Sequence, residues 1–251
     1  MPGLTAYVRF RSCNHCLGTP SVNSSSPAPR LRPRPQEIIE RDDRFISASD
    51  ARTYFSTEDT WHPLDRLVCD QARGRVLDIG CGADRHSLAL RERGLEVTAL
   101  EPSPGAAQVC RDRGVTVIGS AVEDLTVGGW DSLVLLGNNL ALLGSPMTAV
   151  STLRSLADHA APGAVLLGLG TQPYATTDPL HLAYHERNRA AGRPGGQLRI
   201  RVRHRELATG WFNYWFMAVD EVTRAVDQTP WRLVDVTASG AAYLVHLELG
   251  R

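Results

Sequence analysis

The sequence predicts an α/β fold: a doubly wound, mostly parallel seven-stranded sheet with helices on both faces and a C-terminal antiparallel hairpin. From Arg75 onward, short runs rich in leucine and β-branched residues alternate with helix-like stretches, as in βα units that build a parallel sheet. The last two apolar runs, 231–236 and 242–249, predict the hairpin. A chain of 251 residues with 43% hydrophobic content can bury the core of one such domain.

The predicted elements follow one another at regular spacing. The strands are 75–79, 96–101, 115–119, 132–136, 165–169, 231–236 and 242–249. The helices are 86–93, 104–113, 148–159 and 219–226. One more strand, 198–205, alternates arginines with apolar residues, so one of its faces is polar.

The first part of the chain has a different composition. Residues 20–35 are dominated by Ser, Pro and Arg, so burial cannot offset the entropy lost on ordering. We therefore expect residues 1–36 to be a disordered leader and residues 37–251 to form the single domain that the length allows. Between 38 and 64, apolar residues recur at helix-like spacings, which predicts capping helices and a helix that ends near Gly74.

Charge and cysteine content exclude several classes of protein. The 27 basic residues, all arginine, balance 27 acidic ones, so the net charge favours neither a nucleic-acid partner nor a membrane surface. Without lysine, Schiff-base chemistry is excluded. Five cysteines show no disulfide framework and no apolar run is long enough to span a bilayer, so we expect a cytoplasmic protein. Cys13, His15 and Cys16 are too few for a zinc site, and we predict no metal.

A glycine pair directly after the first of these βα strands carries the chemistry. Residues 76–82 read Val-Leu-Asp-Ile-Gly-Cys-Gly, which places Gly80 and Gly82 at the carboxyl edge of the sheet, where open α/β sheets bind ligands. Glycine lets the backbone approach a ligand closely. Because the next helix begins within a few residues, its free N–H groups can receive an anion.

An acidic residue, Glu101, ends the next strand, 21 positions beyond Gly80. Its carboxylate can accept hydrogen bonds from both hydroxyls of a ribose, a contact shared with NAD-binding folds. The glycine spacing argues against a NAD-binding fold, because a NAD fingerprint needs glycine where Arg85 stands and does not require Asp78. A tight turn that binds another nucleotide, or nothing, is the remaining alternative.

Asp78-Ile79-Gly80-Cys81-Gly82 resembles the first motif of the class I, Rossmann-like methyltransferase family, an Asp two residues before a Gly-x-Gly pair. Residues 119–125 resemble the family's pattern after strand three, and by motif the resemblance covers roughly residues 72–170. It implies the cofactor S-adenosylmethionine, with the glycines at its methionine end, Glu101 at its ribose and 119–125 at its adenine. The residues implied for cofactor binding are Asp78, Gly80, Cys81, Gly82, Glu101, Pro102, Ser120, Ala121, Glu123, with Asp124 as a substitute, and Gly137 and Asn138.

The sequence departs from that family at one position. The family has a third glycine two positions after Gly82, and this chain has Asp84. A carboxylate there would repel the carboxylate of the cofactor unless Arg85 compensates its charge or the side chain turns away. Because of Asp84, a protein that has lost catalytic activity is an alternative.

The acceptor side is predicted in the polar and aromatic stretch 171–216, interpreted as a substrate cap. His181 and His185 are four residues apart and share a face if helical, so they are the candidate catalytic bases; a solvated surface helix is the alternative. The arginines of 199–205 bind a substrate carboxylate or phosphate, or form a solvated strand face. The aromatic residues of 211–216 are core, a wall for a planar substrate, or both.

The polar turn after the strand 132–136 allows two interpretations. The amides of Gly137-Asn138-Asn139 either orient an acceptor or satisfy backbone groups of the turn. With a compact cap and no added recognition module, the sequence favours methyl transfer to a small molecule, such as a secondary metabolite, with no nucleic-acid or membrane partner. Methylation of a peptide or protein is the alternative, and a binding subunit without catalysis is a third.

Overall fold

The computed structural model describes residues 36–250. Almost all of the predicted leader, together with Cys13, His15 and Cys16, lies outside the described residues, and Gln36 already belongs to a strand. The described strands, in chain order, are β1 (Gln36–Arg41), β2 (Ile46–Asp50), β3 (Arg75–Ile79), β4 (Glu96–Leu100), β5 (Thr116–Ile118), β6 (Trp130–Leu135), β7 (Ala160–Thr171), β8 (Gln197–His204), β9 (Leu207–Ala208), β10 (Phe212–Trp215), β11 (Trp231–Ser239) and β12 (Ala242–Leu249).

Helices connect these strands. The α-helices are α1 (Pro63–Gln71), α2 (Arg85–Glu92), α3 (Pro104–Asp112), α4 (Pro146–His159), α5 (Pro179–Ala190) and α6 (Val219–Val226). Four of them begin at a Ser, Asp or His cap followed by proline, whose fixed φ suits the first helical turn. Short 3-10 helices occupy Ala51–Phe55, Glu58–Thr60, Val122–Asp124, Asn139–Leu143 and Pro173–Ala175.

The larger sheet has seven strands in the order β11-β12-β7-β6-β3-β4-β5. The pairs from β7 to β5 are parallel, whereas β12 is antiparallel to both β7 and β11. This confirms the predicted fold class and the C-terminal hairpin. The strand order reverses between β3 and β6, so the ends of these two strands form the switch point at which such sheets bind ligands.

The core lies on both faces of this sheet. On one face, leucines of α4 and valines of α6 pack against strand residues such as Leu133 and Leu166, which are fully buried. On the other face, residues of α1 and α2, such as Val68 and Leu90, pack against Val76. Leucine, valine and aromatic side chains that are excluded from water here supply the main driving force for folding.

A second, antiparallel sheet was not predicted. It has the order β10-β8-β1-β2, with β9 added on β8. The expectation of capping helices before residue 61 was therefore wrong for β1 and β2, whereas α1 forms the predicted helix before Gly74. The physical reason is long-range pairing: β1 hydrogen-bonds β8, with Glu40 opposite Arg201, and no local spacing reveals that partner.

The second sheet also changes the description of the cap. Helix α5 and strands β8 to β10 come from the predicted cap region, but the β1–β2 hairpin from the start of the described chain completes their sheet. Within residues 36–250, none of the helices combines the length and apolar character needed to cross a bilayer.

Candidate active site at the switch point

The turn after β3 is built around Gly80 and Gly82, whose φ angles of +69° and +61° suit glycine. A Cβ atom at Gly80 would lie 2.8 Å from Leu142 Cδ1 and 2.9 Å from Asn139 Nδ2. The backbone therefore passes through a space that admits no side chain. Gly80 N–H donates to the Leu100 carbonyl (2.8 Å), which fixes the turn against the end of β4.

The turn after β6 holds this glycine turn in place. The amide Nδ2 of Asn139 donates to the carbonyl oxygens of Ile79 (3.1 Å) and Gly80 (2.7 Å). Of the two interpretations for this polar turn, satisfaction of backbone groups therefore describes Asn139. Sequence reasoning left this role open and could not name the partners, because they lie at the end of another strand.

Asp78 supports the turn from below. Its side chain is buried, and Oδ2 accepts a hydrogen bond of 2.6 Å from the Ser87 hydroxyl of α2. Burial raises the pKa of Asp78. The hydrogen bond ties the end of β3 to α2 and so supports the Gly80–Gly82 turn between them.

Glu101 lies beside the glycine turn directly after β4. Its Oε2 accepts from Gly82 N–H (3.1 Å) and its Oε1 from Ser103 N–H (2.8 Å). Burial raises the pKa of Glu101 to about 7, despite these two hydrogen bonds. Gly80 and Glu101 are 21 positions apart in the sequence. In the fold, the acid and the glycine turn lie side by side at the edge of the sheet.

The departure at Asp84 has a structural account. Asp84 has a φ of +64°, a left-handed conformation that glycine adopts without strain and that Asp tolerates better than most residues. Its buried carboxylate lies 2.6 Å from Arg113 Nη1, after α3. The sequence named Arg85 as the compensating cation, but Arg85 donates instead to Thr53 and Ser56.

The predicted adenine segment lies next to the acid. Glu101 N–H donates to the Ile118 carbonyl (3.0 Å), so the chain after β5 begins beside the ribose candidate. Ser120 and Ala121 are half-buried there, and Glu123 is exposed in the 3-10 helix Val122–Asp124. Pro102, half-buried, follows Glu101 directly.

Asn138 connects the sheet edge to the cap. It has a φ of +73°, and its carbonyl accepts a hydrogen bond of 2.9 Å from the Tyr214 hydroxyl of β10. Its side-chain Oδ1 accepts from Thr171 Oγ1 (3.0 Å). The preceding Gly137 N–H points to Asp65, at 3.4 Å.

Two residues that sequence reasoning missed complete this region. Tyr54, in the 3-10 helix Ala51–Phe55, covers the glycine turn: its ring lies 3.3 Å from the position of a Cβ on Gly82. Its hydroxyl donates to Glu37 Oε2 (2.9 Å) on β1. No local signal pointed to them, because the pairing that aligns Glu37 with Ser49 joins separate strands.

The two candidate histidines lie on α5, which confirms that they share a helix. His181 Nδ1 is 3.0 Å from Arg41 Nη1, and its ring packs edge-on against Phe45. His185 is buried, with its ring against Tyr174. Burial, reinforced by nearby positive charges, lowers the pKa of His185, so it is neutral at pH 7. Within residues 36–250, both histidines contact residues of the cap and of the β1–β2 hairpin rather than the glycine turn.

The arginine face of β8 is occupied by an acid of the same sheet. Glu40 accepts hydrogen bonds from Arg201 (2.9 Å) and Arg203 (3.3 Å). Arg199 is exposed, and Arg205 lies beyond the strand with a φ of +53°. Among residues 36–250, no group of three or more His, Cys, Asp or Glu side chains is arranged to hold a metal ion.

Comparison with known families finds a similarity over part of the chain. The family described as "Methyltransferase domain" matches residues 77–129, the stretch from β3 through the chain after β5. The matched stretch contains Gly80, Gly82 and Glu101, so the chain is similar to this family at the turn and the acid. A comparison with curated proteins found no match.

Solved structures share the fold at low sequence identity. A SAM-dependent methyltransferase from Bacteroides fragilis, in complex with S-adenosyl-L-homocysteine, has a TM-score of 0.73 at 18% identity, covering 87% of this chain and 89% of its own. A SAM-dependent methyltransferase from Methanosarcina mazei has a TM-score of 0.59 at 15% identity, covering 76% and 98%. A protein described for conversion of a disulfide bond into a thioacetal group during echinomycin biosynthesis has a TM-score of 0.53 at 19% identity, covering 75% and 81%.

Proposed function

We propose that this protein transfers a methyl group from S-adenosylmethionine to a small-molecule acceptor. One observation carries the proposal: the Glu101 carboxylate lies 3.1 Å from the Gly82 N–H at the switch point. It supports the proposal because an acid that could bind a ribose then lies beside a turn that admits no side chain, at the edge where α/β sheets bind nucleotides.

Different residues bind different parts of the cofactor. Gly80, Cys81 and Gly82 hold its methionine end, with Asp78 shaping their turn. Glu101 and Pro102 hold the ribose. The adenine lies along Ser120, Ala121 and Glu123, and Gly137 and Asn138 face the methyl group.

The side-chain-free turn at Gly80 and Gly82, together with the acid at Glu101, fits this cofactor. When bound, it supplies a methyl group activated by a sulfonium. The protein must then mainly align the acceptor with the carbon–sulfur bond and exclude competing water. Tyr54 covers the turn from one side and Tyr214 reaches Asn138 from the cap, so both bound the space in which an acceptor is positioned.

A small acceptor is supported by the cap. The second sheet approaches the switch point through Tyr214 of β10, and Tyr54, which donates to Glu37 of β1, covers the glycine turn. One structural neighbour is described in the biosynthesis of echinomycin. His185, neutral at pH 7, and His181 stay candidates for the base that accepts a proton from the acceptor.

Calorimetric titration with S-adenosylmethionine and S-adenosylhomocysteine tests the proposal. We expect wild-type protein to bind both, and Glu101→Ala to weaken binding by about tenfold or more, because a carboxylate that accepts hydrogen bonds from the ribose is lost. Binding in the wild type then justifies a screen of acceptors for a mass gain of one methyl group.

Two other results would change the assignment. If the wild type does not bind and Asp84→Gly does, the chain is a degenerate methyltransferase. If neither binds, the cofactor assignment is wrong. Glu96→Ala, an exposed acid at the start of β4, is the matched control and should bind like the wild type.

A further inference from the structure

The outer face of the second sheet is the face turned away from the switch point. Tyr214 of β10 lies on the other face, because its hydroxyl reaches the Asn138 carbonyl. Side chains alternate along a strand, and the register aligns Tyr214 with Leu198, so Asn213 and its partner Arg199 lie on the outer face. Both of these side chains are exposed. The outer face is thus separate from the turn at which the cofactor is proposed to bind.

Arginine dominates this face. Arg199, Arg201 and Arg203 occupy every second position of β8, about 7 Å apart along the strand. Arg199 and Arg203 are exposed, and Arg201 is partly exposed. Register places Glu40 of β1 opposite Arg201, and this acid pairs with Arg201 and Arg203. The outward positions of β1 and β8 thus carry three arginines and one acid, a net positive charge.

Exposed apolar side chains lie on both sides of these arginines. The guanidinium of Arg201 lies over the ring of Trp211, 4.9 Å from its centroid, and Trp211 is 38% exposed. On the opposite side, Ile46 of β2 is aligned with Glu40 and is 61% exposed. Arginine and tryptophan are enriched at the centres of protein–protein interfaces. The outer face therefore has the composition of such an interface as well as a charge.

Charge is unevenly distributed over the chain. In the turn after β8, Arg205 and Glu206 offset each other. Residues 1–35 carry five of the 27 arginines and none of the 27 acids, so they supply no counter-charge for the outer face. Residues 36–251 therefore carry five more acids than arginines. A positive face on an acidic domain is an electrostatically distinct surface, which attracts an acidic partner.

The spacing and the amount of positive charge favour an acidic polypeptide. In an extended peptide, alternate side chains are also about 7 Å apart, so carboxylates at every second position can follow the arginines of β8. Arginine binds a carboxylate through two parallel N–H···O bonds. A nucleic acid needs a broader basic surface, because duplex DNA carries one negative charge about every 1.7 Å and an acidic domain repels it.

We infer that the outer face of the second sheet binds an acidic segment of a partner protein, with Asp or Glu at alternate positions. Arg199 and Arg203 bind its carboxylates, while Arg201 stays paired with Glu40. Trp211 packs against apolar residues that flank the acidic segment. Because this surface is the outward one, the partner leaves the switch point open to the cofactor.

Binding of peptides to the full-length protein tests the inference. The probes are two fluorescein-labelled peptides of about twelve residues, one alternating Glu and Thr and one alternating Gln and Thr, followed by fluorescence anisotropy at low salt. We expect the wild type to bind the Glu peptide about tenfold or more tightly than the Gln peptide, because two or three exposed ion pairs form. The difference should shrink as salt is raised.

Two double variants locate the binding surface. Arg199→Gln/Arg203→Gln should lose most of the preference for the Glu peptide. Arg224→Gln/Arg232→Gln, which removes two exposed arginines of α6 and β11, is the matched control and should keep it. Far-UV circular dichroism shows whether both variants are folded.

Four results would overturn the inference. Equal binding of the two peptides by the wild type does so without any variant. A preference that survives in folded Arg199→Gln/Arg203→Gln means that other arginines, such as those of residues 1–35, bind the peptide. Tighter binding of an oligouridylate of about ten nucleotides through the same two arginines means that the face binds nucleic acid. A dimer in sedimentation that dissociates in this double variant means that a second copy of the chain covers the face.

Discussion

Asp84 Oδ1 and Arg113 Nη1 lie 2.6 Å apart, joining the start of α2 to the end of α3. Asp84 is buried, and Arg113 also donates to the neighbouring Ala83 carbonyl. Burial raises the pKa of Asp84 to about 7, an effect that the Arg113 charge opposes. The residue that departs from the family pattern is therefore built into a structural ion pair.

Removal of the cation should destabilise the protein. In Arg113→Ala the Asp84 carboxyl keeps its burial and loses its partner, so we expect a loss of about 2 kcal/mol in the free energy of unfolding, below the range for fully buried pairs because Arg113 is one-third exposed. Urea unfolding at about pH 8, above the raised pKa of Asp84, measures this loss.

A double variant separates the ion pair from other roles of Arg113. Asp84→Gly removes the carboxyl and relieves the left-handed strain, so Asp84→Gly/Arg113→Ala should recover most of the lost stability. Arg111→Ala, at an exposed position of the same helix, is the control. An Arg113→Ala protein as stable as the wild type would show that the pair contributes nothing.

Cofactor affinity should depend on pH through Glu101. Its pKa is about 7 in the free protein, and ribose hydroxyls donate to the ionised carboxylate, so binding should release a proton below pH 7. The affinity for S-adenosylhomocysteine is then expected to rise with pH, by at most about tenfold per unit, and to level off above about pH 7. Calorimetry in buffers of different ionisation enthalpy measures the released protons.

The same group has a definite effect on the stability of the free protein. Folding raises the pKa of Glu101 from 4.5 to about 7, so the folded state binds the proton more tightly. Its contribution therefore falls as pH rises from about 4.5 to 7 and is constant above. The raised pKa of Asp84 lies in the same range, so both proteins compared carry Asp84→Gly. The pH dependence of the free energy of unfolding is measured for Asp84→Gly and for Asp84→Gly/Glu101→Gln. If the free energy of unfolding depends on pH equally in both proteins, Glu101 does not have a raised pKa in the folded state.

Loss of the Asn139 amide should loosen the glycine turn. Asn139→Ala removes donors to the Ile79 and Gly80 carbonyls and should weaken S-adenosylhomocysteine binding by about threefold to thirtyfold. Asn213→Ala, on an exposed position of β10, is the control. Full affinity in Asn139→Ala would show that the turn keeps its shape without this amide.

The buried thiols should resist alkylation. Burial raises the pKa of Cys69 to about 12. The Cys110 thiol, whose Sγ lies 3.5 Å from Cys81 Sγ, and burial together raise the pKa of Cys81. Thiolate is the reactive form, so at about pH 8 iodoacetamide should modify Cys69 and Cys81 only after unfolding. Peptide mass mapping assigns each site. Rapid modification of Cys81 in folded protein would mean that the glycine turn opens.

The sequence predicted the larger sheet well because its signals are local. Strands β3 and β12 and helix α6 begin and end where their apolar runs predict. The glycines also predicted the turn, because glycine adopts a positive φ readily and few other residues do. The pairing of Gly82 with Glu101 follows from the parallel order of β3 and β4, which adjacent βα units impose.

Elements that depend on distant partners were not predictable in this way. The strand character of β1 exists only because β8 and β2 flank it, and its apolar residues, taken alone, fit a helix as well. The partner of Asp84 lies after α3, so the sequence pointed to the neighbouring Arg85 instead.

By itself, then, the sequence determined the class of the fold and the glycine turn, with its acid, because turn conformation and hydrophobic period are properties of a few consecutive residues. Only the tertiary structure decided what surrounds that turn. Glu37, Tyr54 and Tyr214 come from three separate elements, and they meet because strand pairing closes the second sheet over the switch point. Such contacts depend on hydrogen bonds and burial between segments far apart in the chain, which no local pattern encodes.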